Sequence, residues 1–399
     1  MRKRSVYVYL TILAGILLLN VMAWSSHAFA DWYVMNILPI WVESYAKFMG
    51  FFPFSVGEWM LMAGLILLIG AILLVAVRIV LRMLDRGERI RLFGRIYHHA
   101  MAWIGLCVFI VLTLNCFICY HATDFSTKYF PGKTNPQETS WKEEASGYAK
   151  ADEERGYTLE ELLWVRDYVV VKCNKLAEQM ERDEQGNVVY DGDMEAVAVQ
   201  CMQDLGEEYS QLAGFYPKPK KMYFSEFLSQ QYMQGYFFPF SMEANYNQIM
   251  NLTNKPATMC HELAHLKGFL QEDEANFIGY LACIQSEDPF FQYSGYLSVL
   301  NYLDNDYYAS VNGNREQYLS HVRISAQVRR DNEFLSEDAW ETVEKKAIIP
   351  TETVEKISDE FVEATLIMNG VEDGMLSYCR VVGLLLDYYS GLDNFSAIL

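Results

Sequence analysis

Two histidines, His261 and His265, stand four positions apart in the stretch CHELAHLKGFLQEDEANF, and Glu262 directly follows the first. On a helix, residues four apart lie on one face, so both imidazoles can bind the same metal ion. Glu262 would point toward the open side of that ion, where its carboxylate can accept a proton from an attacking water molecule. This spacing is typical of zinc sites that hydrolyse peptide bonds, and it predicts Zn²⁺ as the cofactor and Glu262 as the catalytic base.

A zinc ion held by two histidines needs a third protein ligand. If the helix continued unbroken, Glu272 would lie roughly 10 Å along its axis from His265, at about 1.5 Å per residue, too far to share the ion. Gly268 can adopt the left-handed conformation that ends a helix, so a second helix can begin beyond it. We therefore predict Glu272 as the third ligand, and Glu274 and Asp273 remain as alternatives within the same acidic cluster.

Residues outside this block could complete an active site. Tyr378 and His321 could each donate a hydrogen bond to the oxyanion that develops during peptide hydrolysis, although either could instead be structural. The stretch FSMEANYN, residues 240–247, precedes the motif helix. It could form an edge strand beside the metal, where a substrate backbone can pair, or it could be a surface turn.

Three apolar runs precede the motif, at about residues 5–24, 59–81 and 101–120. Each has about the 20 residues needed to cross the hydrocarbon core of a membrane. Each is also apolar on every face, unlike a helix of a soluble bundle. We therefore predict three transmembrane helices, with the first one retained rather than cleaved as a signal peptide.

The charges are distributed unevenly along the chain. Residues 1–119 hold ten Lys/Arg, and nine of them lie in the N-terminal four residues or in residues 78–95, from the end of the second apolar run to the segment before the third. Basic loops stay in the cytoplasm, which predicts that residues 120–399 lie outside it. That part holds 22 basic and 46 acidic residues, a balance of −24. Nucleic acid is excluded as a partner because phosphates would be repelled; membrane lipid and a peptide or protein substrate are expected.

Beyond the apolar runs the pattern is mostly helical. Residues 121–156 are polar and broken by proline and glycine, which predicts a linker. From residue 157 to 399, apolar residues recur at helical spacing, except in the aromatic stretch 216–247, which predicts short strands and turns. The predicted fold is a mainly α, membrane-anchored protein. It has a membrane domain over residues 1–120, then the linker, then an α-rich (α+β) domain over 157–399.

Several stretches also carry a family resemblance. PFSVGEW, FPFSMEANYN, CHELAHLKGFLQEDEANFIGYLAC and GMLSYCRVVGLLLDYY resemble landmarks of the bacterial membrane-protein family of domain of unknown function 3810. Glu272 and Asn276, four positions apart, are similar to the second signature of gluzincin metallopeptidases. The resemblance implies a zincin-like domain in which Glu272 binds zinc and Asn276 supports a ligand histidine from behind. It implies no particular substrate.

The combined interpretation is a zinc metallopeptidase in the bacterial cell membrane, with several membrane passes and an extracytoplasmic catalytic domain. A non-catalytic zinc-binding sensor or assembly protein is the first alternative. A structural membrane protein without metal is the second. Metal content separates the last hypothesis from the others, and hydrolysis that depends on Glu262 separates the enzyme from the sensor.

Overall fold

The computed structural model describes residues 3–83, 88–130, 157–371 and 373–390. The chain forms two compact units, one made of Met1–Ala122 with Phe238–Glu243, the other of Thr123–Phe237 with Ala244–Leu399. Both are mainly helical, as predicted. The part of the predicted linker from 131 to 156 lies outside the described residues, and Phe125–Tyr129, also within that linker, forms a helix.

The first unit is built on three long apolar helices. In chain order, its helices are α1 (Lys3–Ser25), α2 (His27–Asn36), α3 (Leu38–Trp41), a π-helical turn (Val42–Ala46), α4 (Lys47–Met49), α5 (Val56–Met83) and α6 (Glu88–Leu112), followed by a π-helical turn (Thr113–Phe117) and a 3₁₀ helix (Cys119–His121). The spans Arg4–Ser25, Val56–Arg82 and Leu92–His121 are each long and apolar enough to cross a membrane. The three predicted apolar helices are therefore confirmed, and they indicate that the protein associates with a membrane.

A short segment from later in the chain, Phe238–Glu243, completes the first unit. The Glu243 carboxylate accepts a hydrogen bond from the backbone N–H of Gly57, at 2.7 Å, in the first turn of α5. The first N–H groups of a helix have no partner within it, and a carboxylate there satisfies them and complements the helix dipole. Asn115 donates a hydrogen bond to the Pro239 carbonyl oxygen at 2.9 Å, which ties the same segment to the end of the third apolar span.

The second unit consists mostly of helices packed on one another. Its helices are α7 (Phe125–Tyr129), α8 (Leu159–Ala177), α9 (Met194–Glu208), α10 (Ser225–Ser229), α11 (Lys255–Leu266), α12 (Glu272–Ile284), α13 (Pro289–Ser310), α14 (Arg315–Leu319), α15 (Ala326–Asp331), α16 (Glu337–Lys346), α17 (Thr351–Met368) and α18 (Val381–Ser390), with 3₁₀ helices at Ser210–Leu212, Leu252–Asn254 and Gly374–Arg380. Helices α11, α12 and α13 pack on one another, and α8 packs on α13. Nearly every residue of α11 and α12 is buried, so the predicted metal-binding stretch lies in the core of this unit.

The described part of the chain contains one three-stranded sheet, formed by β1 (Lys220–Lys221), β2 (Gly235–Phe238) and β3 (Glu243–Tyr246). The strand order is β1-β3-β2, and β1 runs parallel to β3 with Lys220 opposite Asn245. Residues 243–246 of FSMEANYN therefore form neither of the two expected structures, the edge strand or the surface turn. All four residues of β3 are buried and the strand is paired on both sides, whereas β2 lies at the edge.

Candidate metal centre

The turn between α11 and α12 has the form that the sequence predicts. Helix α11 ends at Leu266, and Gly268 has a φ of +88°, in the left-handed region that favours glycine. The N–H of Gly268 donates to the His265 carbonyl oxygen at 3.0 Å, which closes the last turn of the helix. Helix α12 then begins at Glu272, so the chain reverses within five residues and the predicted break is confirmed.

This reversal brings three side chains together. The His261 Nε2 atom lies 3.2 Å from Glu272 Oε2, and the His265 Nε2 atom lies 3.8 Å from the same oxygen. The ligand atoms of all three residues lie within 4.8 Å of one another. We call these three residues the His–His–Glu cluster. Ligands about 2.0–2.1 Å from a tetrahedral zinc ion are about 3.3 Å apart, so one ion could be shared after small adjustments.

A hydrogen bond fixes the orientation of the second histidine. The His265 Nδ1 atom lies 2.7 Å from the Phe269 carbonyl oxygen. A carbonyl oxygen can only accept, so Nδ1 carries the proton and the lone pair of Nε2 faces Glu272. Metal-binding histidines are commonly held in this way, with the second ring nitrogen bonded to a carbonyl or carboxylate.

Glu262 is buried beside this cluster with one oxygen unpaired. Its Oε2 has no hydrogen-bond partner among the described residues, an expensive state for a buried carboxylate. A Cβ atom at Gly235 of β2 would collide with the other oxygen, Oε1, so the glycine makes room for this side chain. Burial raises the pKa of Glu262 to about 8, His261 opposes the rise, and the Glu272 charge adds to it. A cation at the cluster would lower the pKa of Glu262 by favouring its ionised form.

The electrostatics of two of the three clustered residues, Glu272 and His265, favour ligand chemistry. Burial opposes the ionised form of Glu272, but His265, His261 and a hydrogen bond from Tyr378 together lower its pKa. Burial, offset only in part by Glu272, lowers the pKa of His265 to about 4. Glu272 is thus a carboxylate and His265 a neutral imidazole, and these are the forms that bind zinc.

The two alternative acids of the cluster point elsewhere. The Asp273 Oδ2 atom pairs with the Arg380 guanidinium at 3.3 Å. Glu274 accepts a hydrogen bond from the Phe125 backbone N–H, and burial raises its pKa to about 8. Neither residue joins the His–His–Glu cluster, although the three acids are consecutive at the start of α12.

The remaining predicted site residues differ in whether they lie beside the His–His–Glu cluster. Tyr378 lies next to Glu272, whose pKa it lowers, so this predicted donor borders the cluster. Burial lowers the pKa of His261, but Glu272, Glu262 and a hydrogen bond with Asn276, one turn beyond Glu272, raise it overall. His321 instead lies 3.1 Å from an Asp167 carboxylate oxygen, away from the cluster.

Sequence reasoning missed two contributors to the site, the Phe269 carbonyl oxygen and Gly235. A main-chain carbonyl leaves no signal in the residue types. Gly235 did leave one, because a lone glycine within an aromatic strand marks a close approach of another group.

The three apolar helices and the His–His–Glu cluster define a membrane-associated protein with a candidate metal centre. A family described as protein of unknown function (DUF3810) matches residues 33–386, and the chain belongs to this family. The predicted family membership is thereby confirmed. No curated protein and no solved structure matches the chain.

Proposed function

We propose that this protein is a membrane-anchored zinc metallopeptidase that hydrolyses peptide bonds on the extracytoplasmic side of the bacterial cell membrane. The observation that carries the proposal is the unpaired Oε2 of Glu262 beside His261, His265 and Glu272. Most buried carboxylate oxygens are paired, and an unpaired one beside three potential metal ligands favours a site for a ligand or substrate. A base that has to reach a substrate and a water molecule needs it free.

The donor set fits zinc in particular. Two imidazole nitrogens and one carboxylate oxygen form the three-ligand set of catalytic zinc sites, which keep a fourth position open. The bond from His265 to the Phe269 carbonyl oxygen already holds that ring in a ligand orientation. When bound, Zn²⁺ would lower the pKa of a water molecule at the site and polarise the scissile carbonyl group.

The residues of the chain would divide the remaining work. Glu262 would accept the proton of the attacking water at Oε2 and return it to the leaving amine. Tyr378, beside Glu272, would donate a hydrogen bond to the developing oxyanion. An extended peptide could pair with the edge strand β2, whose Gly235 lies against Glu262.

The extracytoplasmic location rests on the distribution of charge. Nine of the ten basic residues before residue 120 lie in two segments on the same side of the three apolar spans. A reporter fused after Leu399 and active only in the cytoplasm should therefore be silent. Strong reporter activity would reverse the proposed orientation.

The decisive test compares Glu262→Gln with His261→Ala in the full-length protein. Glu262→Gln should keep zinc, measured by mass spectrometry of the metal, and lose about 10²- to 10⁴-fold in peptide hydrolysis. His261→Ala should lose both zinc and hydrolysis, because two remaining ligands hold the ion poorly. Glu333→Gln, at an exposed position, is the matched control and should resemble wild type.

Cleavage would be read by mass spectrometry on a diverse peptide library. If wild type binds zinc but cuts no peptide, and Glu262→Gln has no phenotype in cells, the enzyme proposal fails. The zinc-binding sensor would then be the better account.

A further inference from the structure

Helix α17 presents an apolar stripe to solvent. Ile357, Phe361, Ala364 and Met368 follow one another at spacings of four, three and four, so they share one face of the helix. Ala364 is exposed, and the three large side chains are 60%, 68% and 72% exposed in chain order. Exposed apolar surface of this kind, bordered by polar residues, is typical of a site that binds a partner.

Helix α17 is packed on the rest of the second unit, so the exposure of its apolar stripe is not caused by a detached helix. The other face of α17 is buried through Val354, Ser358 and Leu366. The Ser358 hydroxyl also donates to the Gln231 side-chain oxygen at 3.3 Å, which holds the helix on the second unit. The apolar stripe is therefore the outward face of a fixed element.

Helix α17 lies beside the element that borders the candidate metal centre. Helix α17 packs on the 3₁₀ helix Gly374–Arg380, whose Met375 and Leu376 are 40% and 60% exposed. The Glu363 carboxylate of α17 accepts a hydrogen bond from the Met375 N–H at 2.7 Å, which joins the two elements. The same 3₁₀ helix carries Tyr378, next to Glu272. We define the apolar band as Ile357, Phe361, Ala364, Met368, Met375 and Leu376.

The charges around the band indicate what binds there. Helix α17 contains five acidic residues and one lysine, a balance of −4. Asp359 and Glu360, which directly precede the stripe residue Phe361 in sequence, are exposed and make no ion pair in the described part of the chain. Such a surface repels anionic lipid head groups and attracts a partner that carries lysine or arginine beside its apolar residues.

We propose that the apolar band is the docking surface for the substrate, an amphipathic peptide segment with apolar residues flanked by Lys and Arg. This inference rests on the proposed peptidase function, because it uses the path from the band to Tyr378 and the metal cluster. The band would hold the apolar side of the segment while the acidic residues of α17 pair with its basic flanks. The chain beyond the docked part would then reach the cluster.

Binding can be measured without cleavage in the Glu262→Gln background. The protein is placed in zwitterionic phosphatidylcholine nanodiscs, and a labelled 18-residue helical peptide of leucine and lysine is titrated by fluorescence anisotropy. A peptide with glutamate in place of each lysine is the matched control, and empty nanodiscs correct for lipid binding. The lysine peptide should bind at least tenfold more tightly than the glutamate peptide.

Two kinds of variant assign this binding to the band. Phe361→Ser should weaken the lysine peptide about tenfold, while Val171→Ser, at an exposed apolar position on α8, should change nothing. Glu360→Lys should weaken the lysine peptide and strengthen the glutamate peptide, an exchange of preference that misfolding would not produce. Equal binding of the two peptides, or binding unaffected by Phe361→Ser, would overturn the proposal.

Cleavage by the zinc-loaded wild type separates this inference from the proposed function. If the band binds the peptide but no peptide is cut, the peptidase proposal fails and with it the naming of the ligand as substrate. If peptides are cut and Phe361→Ser leaves KM unchanged, the band proposal fails and the peptidase stands. Two further outcomes would also overturn the band proposal. If Phe361→Ser lowered only binding to phosphatidylglycerol vesicles, the band would be a lipid surface. If it abolished only self-association measured by sedimentation, the band would be a dimer interface.

Discussion

Two clusters of histidine and acidic residues in the second unit differ in how completely their polar atoms are paired. Around Arg166, which is almost wholly buried, the guanidinium donates to Asp304 at 2.8 and 3.0 Å and to Asp167 at 2.7 Å. It also donates to the Val322 carbonyl oxygen, and His321 lies 3.1 Å from the second Asp167 oxygen. In the His261–His265–Glu272 cluster, the neighbouring Glu262 keeps an oxygen with no partner among the described residues.

The difference separates a cluster that holds the fold from one that is fitted to a ligand. In the Arg166 network both oxygens of each carboxylate have a partner, so no further ligand is needed there. Beside the His–His–Glu cluster, burial raises the pKa of Glu262 and leaves one of its oxygens without a partner among the described residues, and a divalent cation there would favour its ionised form. The first cluster should therefore respond to mutation in stability, and the second in metal binding.

The largest expected effect is on the Arg166 network. Arg166→Ala leaves Asp167 and Asp304 without their cation, which should lower the free energy of unfolding by about 3–5 kcal/mol. The zinc content of the folded fraction should stay at the wild-type level. Urea unfolding followed by intrinsic fluorescence measures the first quantity, and metal analysis the second. Lys345→Ala, in an exposed ion pair with Glu341, is the control and should have little effect. Zinc loss in folded Arg166→Ala protein would show that the two clusters are not independent.

The next largest effect is on zinc affinity, and it should differ between two neighbouring acids of α12. Glu272→Ala should lower zinc affinity at least about hundredfold, equivalent to about 2.7 kcal/mol, because a ligand is lost. Glu274→Ala should leave zinc affinity unchanged. It should instead lower the free energy of unfolding by about 1–3 kcal/mol, because the buried Phe125 N–H loses its acceptor. Competition with a fluorescent chelator gives the zinc affinities. If Glu274→Ala empties the site, the third ligand is misassigned by two residues.

Removing the metal tests whether zinc stabilises the protein through the His–His–Glu cluster alone. With free zinc at 100 times its Kd, chelation should lower the free energy of unfolding by about 2.7 kcal/mol. The same decrement should appear in Arg166→Ala, because independent sites contribute additively. It should vanish in His261→Ala, which no longer binds the ion. A decrement of equal size in His261→Ala would mean that the chelator acts elsewhere.

The smallest effect concerns the turn that assembles the cluster. Gly268→Val places a β-branched residue at a φ of +88°, which should cost about 1–2 kcal/mol and weaken zinc binding by displacing Glu272. Gly268→Asn is the matched control, because asparagine tolerates left-handed backbone, and it should have a smaller effect on both quantities. Equal zinc affinity in the valine variant would show that the turn does not position the ligand.

What the sequence predicted depended on local rules. His261, His265, Gly268 and Glu272 lie within twelve residues, so helix periodicity and the conformational freedom of glycine were enough to place them together. The three apolar helices followed equally directly from length and composition. The choice between Glu272 and Glu274 was open, because it depends on which way each side chain leaves the first turn of α12.

What the sequence could not predict depended on distant partners. The central position of β3 is set by pairing with β1, more than twenty residues earlier, and no local pattern reports it. The role of His321 likewise depends on Asp167, 154 positions away. The sequence pattern likewise does not predict the apolar band, because the face that α17 buries is determined by its neighbours in space.

The position of the segment Phe238–Glu243 in the chain determines when the first unit can be completed during synthesis. Residues up to Ala122 and this segment belong to the same unit, yet about 120 residues separate them in the chain. At about 5–20 residues per second, roughly 6–24 seconds of synthesis pass between them. During that interval the Gly57 N–H and the Asn115 side chain have no Glu243 carboxylate or Pro239 carbonyl to meet. The unit whose helices leave the ribosome first thus stays incomplete until residues Thr123–Phe237 of the other unit have been made, and a chain truncated before residue 243 leaves it unfinished.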